Sequence, residues 1–98
     1  MKKSDIVDQI ANKTGIPKVD VLVTIEAFIK EVKDSLHRGD SIYMRGFGSF
    51  ILKKRAKKIA RNINKNLAME IPEHYIPAFR PSDKFKDYIK RAAKKSSN

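Results

Sequence analysis

Residues 41–55 read Ser41-Ile42-Tyr43-Met44-Arg45-Gly46-Phe47-Gly48-Ser49-Phe50-Ile51-Leu52-Lys53-Lys54-Arg55. Ile42 and Met44 alternate with Ser41, Tyr43 and Arg45, the period of two that marks a half-buried strand. Gly46-Phe47-Gly48 interrupts it with a tight turn, and a second extended run begins at Phe50 with Ile51 and Leu52. Beyond Leu52 the apolar residues thin out and Lys and Arg take over, so this strand is expected to leave the core as it proceeds.

The charge pattern sharpens at the same place. Between Ser41 and Met69 there is no acidic residue, yet the stretch carries Arg45, Lys53, Lys54, Arg55, Lys57, Lys58, Arg61 and Lys65. Such a window repels itself and attracts a polyanion. Residues 1–40 hold seven Lys/Arg and seven Asp/Glu, so the net charge of +11 arises from residue 41 onward. Along the outgoing strand Lys53, Arg55, Lys57 and Arg61 share one parity, which a regular strand lines along one face, with Lys54 and Lys58 on the other. A ribbon so decorated can lie along a nucleic-acid groove. The competing reading, a solvated edge that discourages aggregation, accounts poorly for the complete exclusion of acids.

Upstream, the period is helical. Ser4 and Asp5 place a capping side chain and a negative charge before Ile6, Val7, Ile10 and Ala11, predicting a short helix to about Lys13. Gly15 stops it and Pro17 restarts the chain. Leu22, Ile25, Ile29, Val32 and Leu36 then step by 3, 4, 3 and 4, the stripe of a longer helix ending at Arg38 and Gly39, with a core or a dimer seam as its packing partner.

Downstream, Asn62-Ile63-Asn64-Lys65-Asn66 reads as a hairpin tip, because asparagine tolerates left-handed conformations. A strand returns through Leu67, Met69, Ile71 and Ile76. Pro72 and Pro77 lack a ladder donor and mark a kink, a bulge or an edge. Ser82 can cap a last helix with Phe85, Ile89 and Ala92 on one face, and residues 94–98 form a polar tail. Ile63 is an apolar residue at a polar tip. Two readings fit it: a wedge inserted between base steps, or a turn residue folded back on Leu67 or against a neighbour's arm.

Composition closes off other classes. Ninety-eight residues make one small domain, and a projecting hairpin leaves a core that favours oligomerisation. With no Cys, neither disulfides nor a cysteine metal site can help; that is compatible with a reducing cytoplasm. Residues 1–10 are too interrupted for a signal peptide, and Val19 to Val32 holds Asp20, Thr24, Glu26, Lys30 and Glu31, so it cannot span a bilayer; a soluble protein is expected. His37 and His74 have no ligand-like spacing and read as solvated or structural. No Cys nucleophile, nucleophile elbow, Walker loop or paired carboxylate in an apolar setting is present, and Ser49 has no recognisable base, so no catalytic residue is assigned.

Gly46-Phe47-Gly48-Ser49-Phe50, then Arg55-Ala56, Arg61-Asn62, and Pro77-Ala78-Phe79 with Lys84 and Lys86, closely resemble the bacterial HU and integration host factor family of architectural DNA-binding proteins, without gaps from about residue 3 to residue 90. The resemblance implies an intertwined dimer with an α-helical body and a β-sheet saddle whose two arms reach around DNA, the arm tips acting as minor-groove wedges. It also implies phosphate or groove contacts from Lys53, Arg55, Lys58, Arg61, Asn62 and Lys65 on the arm and from Lys3, Lys84 and Lys86 on the body. Backbone N–H groups at the Gly46 to Ser49 turn and at the helix starts near Ser4 and Ser82 are further donors. Phe47, Phe50 and Phe79 are expected beneath the saddle. Three departures stand out: Ile63 replaces the family's intercalating Pro, Asn66 its usual turn Gly, and Pro17 its Ser or Thr helix cap.

The expectation is therefore an α+β fold: two N-terminal helices, a three-stranded antiparallel sheet with a protruding β-hairpin arm, and a C-terminal helix. One domain spans residues 1–98, with a helical dimerisation region at 1–40, the saddle and arm at 41–81, the last helix at 82–93 and a flexible tail at 94–98. The expected partners are double-stranded DNA and a second copy of the chain, a heterodimer with a paralogue being the variant. No enzyme activity, cofactor, metal, membrane or small-molecule substrate is expected. The expected function is bending and compaction of DNA in the cytoplasmic nucleoid with little sequence readout. The alternatives are a site-preferring subunit resembling integration host factor and, behind it, a structural RNA-binding protein.

Overall fold

The structure, a computed structural model, describes residues 1–62 and 67–96, with side chains described for 1–59 and 70–92. The elements run α1 (Lys3–Thr14), α2 (Lys18–His37), β1 (Ile42–Met44), β2 (Gly48–Arg55), β3 (Lys58–Asn62), β4 (Leu67–Ile71), β5 (His74–Pro81) and α3 (Asp83–Ser96). They build one antiparallel sheet in the order β1-β2-β5 and a separate two-stranded ribbon, β3-β4.

Helix α1 starts two residues earlier than its Ser4 suggested. Lys2 is the N-cap, and its N–H donates to the Asp5 carboxylate at 2.9 Å, so Asp5 caps the helix and Ser4 lies inside it. Acid at the third helical position can do this because it reaches back to the orphan amide. Helix α2 begins at Pro17 with no side-chain cap, as the absence of Ser or Thr there implied; Asp20 in its first turn supplies the favourable charge. Its end is closed by Gly39 (φ 88°): the Gly39 N–H donates to the Leu36 carbonyl and the Asp40 N–H to that of Ser35, a pairing that needs a left-handed residue at Gly39.

Helix α1 packs on α2 through Val7, Ala11 and Val21, with Ile10, Leu22 and Ile25 around them. Val21 lies one residue off the apolar stripe read from the sequence yet is 5% exposed, whereas Ile29 on the stripe is 39% exposed. The reason is that α1 leans on the flank of α2, leaving part of the stripe facing outward. Ion pairs Lys3–Glu26 (3.0 Å) and Lys18–Asp8 (3.1 Å) staple the same two helices at their surface. On the solvent side of α2, Lys30 donates to Asp34 at 2.9 Å. That hydrogen bond raises the Lys30 pKa and lowers the Asp34 pKa, so its contribution is present above the ordinary carboxylate range and lost as pH falls.

Aromatic rings join the helices to the sheet. Phe28 of α2, absent from the sequence reading of that helix, meets Phe50 edge-on at 6.2 Å between centroids; Phe79 lies 4.9 Å from Phe47 and 5.2 Å from Phe50, and Phe47 stacks on Phe85 at 5.3 Å. The expected aromatic group beneath the sheet is thus present and extends into α3. Ser82 caps α3 by accepting from the Phe85 N–H, while its own N–H donates to the Phe47 carbonyl, which ties the helix start to the Gly46-Phe47-Gly48 turn. Helix α3 then continues through Ser96, past the end expected at residue 93. Strand β2 starts at Gly48, two residues before the expected Phe50.

Candidate nucleic-acid interface

Strand pleating sorts β2 into two faces. Phe50 meets α2 through Phe28, and Leu52 and Pro77 line a groove with Val32 and Leu36 of α2, so the even-numbered residues of β2 look toward the helices. Ser49, Ile51, Lys53 and Arg55 therefore look away from them. The β2–β5 register sets Ser49 against Arg80, Ile51 against Ala78, Lys53 against Ile76 and Arg55 against His74, and β1 adds Tyr43 opposite Ser49. Directly opposed residues of an antiparallel pair share a face. The face turned away from the helices thus carries Lys53, Arg55 and Arg80 and no carboxylate. Arg80 was not singled out from the sequence: it lies far from Lys53 along the chain, and only the strand register brings it alongside.

The ribbon continues this sheet. Arg55 opposes His74 and Lys58 opposes Ile71, so two residues on each strand separate the two ladders and the count stays in step, without a bulge. Pro72 explains the gap, because it cannot donate to the residue facing it. Pro77, the other proline of the returning chain, sits in β5, an edge strand of its sheet. His74 has a structural partner: its Nδ1 lies 3.0 Å from the Pro72 carbonyl, a bond that requires the proton on Nδ1. A groove at the root of the ribbon is lined by Arg55, Ala56, Lys57, Lys58, His74 and Ile76.

Among the described residues, the ribbon's ion pairs are Lys54–Glu73 at 3.0 Å and Lys57–Glu70 at 2.6 Å. Lys53, Arg55, Lys58 and Arg80 carry none. The predicted strip of Lys53, Arg55, Lys57 and Arg61 is consequently not uniform, since Lys57 already holds a carboxylate. Ile59, 74% exposed on the same ribbon, is an apolar residue that charge reading passed over.

The remaining predicted residues are placed as follows. Lys3 stands on α1 in its pair with Glu26, away from the ribbon. Lys84 and Lys86 are in the first turns of α3 and, two apart on a helix, flank the inward Phe85 from opposite sides. Arg61 and Asn62 belong to β3, with backbone pairing to Ala68 and Leu67. Ile63 and Lys65 lie outside the described residues. Gly46 and Ser49 bracket the turn, whose Phe47 N–H donates to the Met44 carbonyl at 3.0 Å. That bond, with those of the Ser82 and Phe85 amides, leaves fewer backbone donors for phosphates here than the sequence implied.

No helix among the described residues is long and apolar enough to cross a membrane. The family model for bacterial DNA-binding protein matches residues 1–90. DNA-binding protein HU of Geobacillus stearothermophilus is 32% identical over 90 residues, 92% of this chain and 100% of that protein. Integration host factor subunit beta of Marinobacter nauticus is 34% identical over 96 residues, 97% of this chain and 98% of its own. The Anabaena HU–DNA cocrystal structure is similar with a TM-score of 0.85 at 30% identity, over 91% of this chain and 97% of that one. A match along nearly the whole of both chains, on a fold whose sheet presents an acid-free basic face, leaves one assignment: this chain belongs to the bacterial DNA-binding protein family, the family of HU and integration host factor.

Proposed function

We propose that two copies of this chain bind duplex DNA across the face of β1-β2-β5 turned away from the helices, with the two ribbons following the minor groove and bending the duplex. The observation that carries this reading is the register that gathers Lys53, Arg55 and Arg80 on one face without a carboxylate. Arg55, Lys58, Arg61, Asn62 and Lys65 extend the phosphate and groove contacts along the ribbon, Ile63 is the wedge, and Lys3, Lys84 and Lys86 contact the flanking duplex. The role is mechanical, compaction of DNA in the cytoplasmic nucleoid, with no reaction, metal or cofactor in it.

A second copy is supported by what one chain leaves uncovered. Val7, Ala11, Val21 and Leu36 are the buried apolar residues among those described, while Phe28, Phe47 and Phe79 remain 42%, 43% and 38% exposed although Phe28 meets Phe50 and Phe47 meets Phe79. The radius of gyration is 19.1 Å. A compact chain of this length would have about 13 Å. A single core of this kind is marginal, and a partner that covers the rings supplies the missing burial.

If about six to ten phosphates are engaged per dimer, log affinity should fall against log salt with a slope of roughly −5 to −9, whereas a slope near −2 would rule out DNA held along both ribbons. Duplexes of random sequence should bind within a narrow range. A site-preferring protein would spread them widely, and an RNA-binding protein would favour A-form RNA in competition. Arg80→Ala should weaken binding to all duplexes alike, by roughly tenfold, and make the slope shallower by about 2, one contact from each protomer. An unchanged slope would place Arg80 off the DNA.

A further inference from the structure

Lys54 and Lys57 are the cations at the root of the ribbon that hold carboxylates, and the pleat puts them on opposite faces: Lys54 with the even-numbered residues that look toward the helices, Lys57 with Lys53 and Arg55 on the face turned away. The register sets Lys54 opposite Tyr75, and Lys54 reaches past it to Glu73; Lys57, standing level with Pro72, reaches past it to Glu70. Each lysine thus spans the diagonal in the same direction, and each pair has one member in the ladder gap at residues 56–57 and 72–73. All four side chains are more than half exposed, at 55%, 55%, 63% and 60%. Exposed pairs of this kind are weak and exchangeable, each worth at most a few-fold in an equilibrium constant.

The acids matter because of where they are. Residues 41–69 contain no carboxylate, and Glu70 and Glu73 are the first to follow, on the strand that returns along the basic one. We infer that Glu70 sets the DNA affinity of the ribbon by holding Lys57 within the chain, so that the lysine must leave its carboxylate before it can neutralise a phosphate. Lys57 then acts as a reserve: bound to its carboxylate in the free protein, and recruited only where the duplex comes close enough for a phosphate to displace the acid. Lys53, Arg55 and Lys58, which have no acid to leave, engage first. The inference rests on the reading that DNA follows the ribbon.

The test uses the full-length protein and a mixed-sequence duplex titrated over a salt series. Glu70→Gln is expected to tighten binding by about three- to twentyfold near 0.1 M salt and to steepen the slope by up to about 1.8, one phosphate in each of two arms, whereas Glu73→Gln, which frees a lysine on the opposite face, should leave the slope unchanged. Lys57→Gln should have little effect in the wild-type background and should cancel the gain in the Glu70→Gln background. Asp34→Asn provides the comparison, since it removes one carboxylate and one lysine pair on α2, away from the ribbon; it should shift affinity less than twofold. A steep wild-type slope with Glu70→Gln indistinguishable from Asp34→Asn would overturn the inference alone. So would a loss from Lys57→Gln as large in wild type as in Glu70→Gln, because the lysine would then already be on the DNA. A wild-type slope near −2 would instead remove the ribbon-binding reading, and this inference with it.

Discussion

A duplex saturated with the Ile63→Ala protein is expected to lose most of its bend while remaining bound. An apolar wedge between base steps kinks DNA by roughly 20–90°, at a cost of a few kcal/mol in unstacking that the inserted side chain must offset. Alanine is too short to fill the opened step, so the duplex restacks. The cations that hold the backbone are untouched, and affinity should fall by no more than about tenfold. Energy transfer between dyes at the two duplex ends, read at matched saturation, measures the change. An unchanged transfer efficiency would assign Ile63 to packing and the bending to the charge of the arms. Ile63→Pro gives the complementary variant, with the family's residue and its fixed φ restored; it should bend at least as sharply as wild type.

Gly48→Ala is expected to unfold the sheet rather than tune it. A Cβ at Gly48 would sit 2.5 Å from the Arg80 carbonyl oxygen and 2.7 and 2.9 Å from two Phe79 ring atoms. The oxygen belongs to the backbone of β5 and cannot rotate away, so β2 and β5 must separate where Gly48 faces Pro81. The displaced Phe79 ring also touches Phe47 and Phe50. A cost of about 3 kcal/mol or more follows, which for a domain of this size lowers the melting midpoint by roughly 12 °C or more. Gly46→Ala makes the contrast. Its added methyl would meet nothing within 4 Å, and only the left-handed φ of 79° is strained. About 1–2 kcal/mol is expected there. Thermal melts of the two variants compare the mechanisms directly: equal losses would mean that the close approach at Gly48 is relieved by a backbone shift.

Much of the molecule was legible before any tertiary contact was known, wherever a local rule applied. Gly15 and Gly39 end helices because a left-handed residue closes the last turn, and the switch from helical period to period two at Ser41 marks the first strand. Ser82 caps α3, and Pro72 interrupts the returning strand because it has no amide to donate. Local rules failed where two elements compete for one side chain. Ser4 read as a cap, but Asp5 reached the Lys2 amide and moved the helix start forward. Phe28 stands outside the stripe that defined α2, and its value comes only from the Phe50 ring that the sheet brings to it.

The sequence by itself determined that this chain has a balanced helical front and a basic, acid-free segment read as strands, and that it belongs with proteins that meet polyanions, because charge and periodicity are properties of neighbours along the chain. Which cations share a face was decided by the tertiary structure. Arg80 joins Lys53 and Arg55 because the β2–β5 register fixes the pleat of both strands at once, and Lys54 and Lys57 turn to Glu73 and Glu70 because the returning strand passes within reach of them. Pairing between strands distant in sequence is a choice among registers, and each one-residue slip reverses every face. The physical reason is that the apolar partners Phe50 and Phe79 must both meet the helices, which selects one register and, with it, the composition of the opposite face.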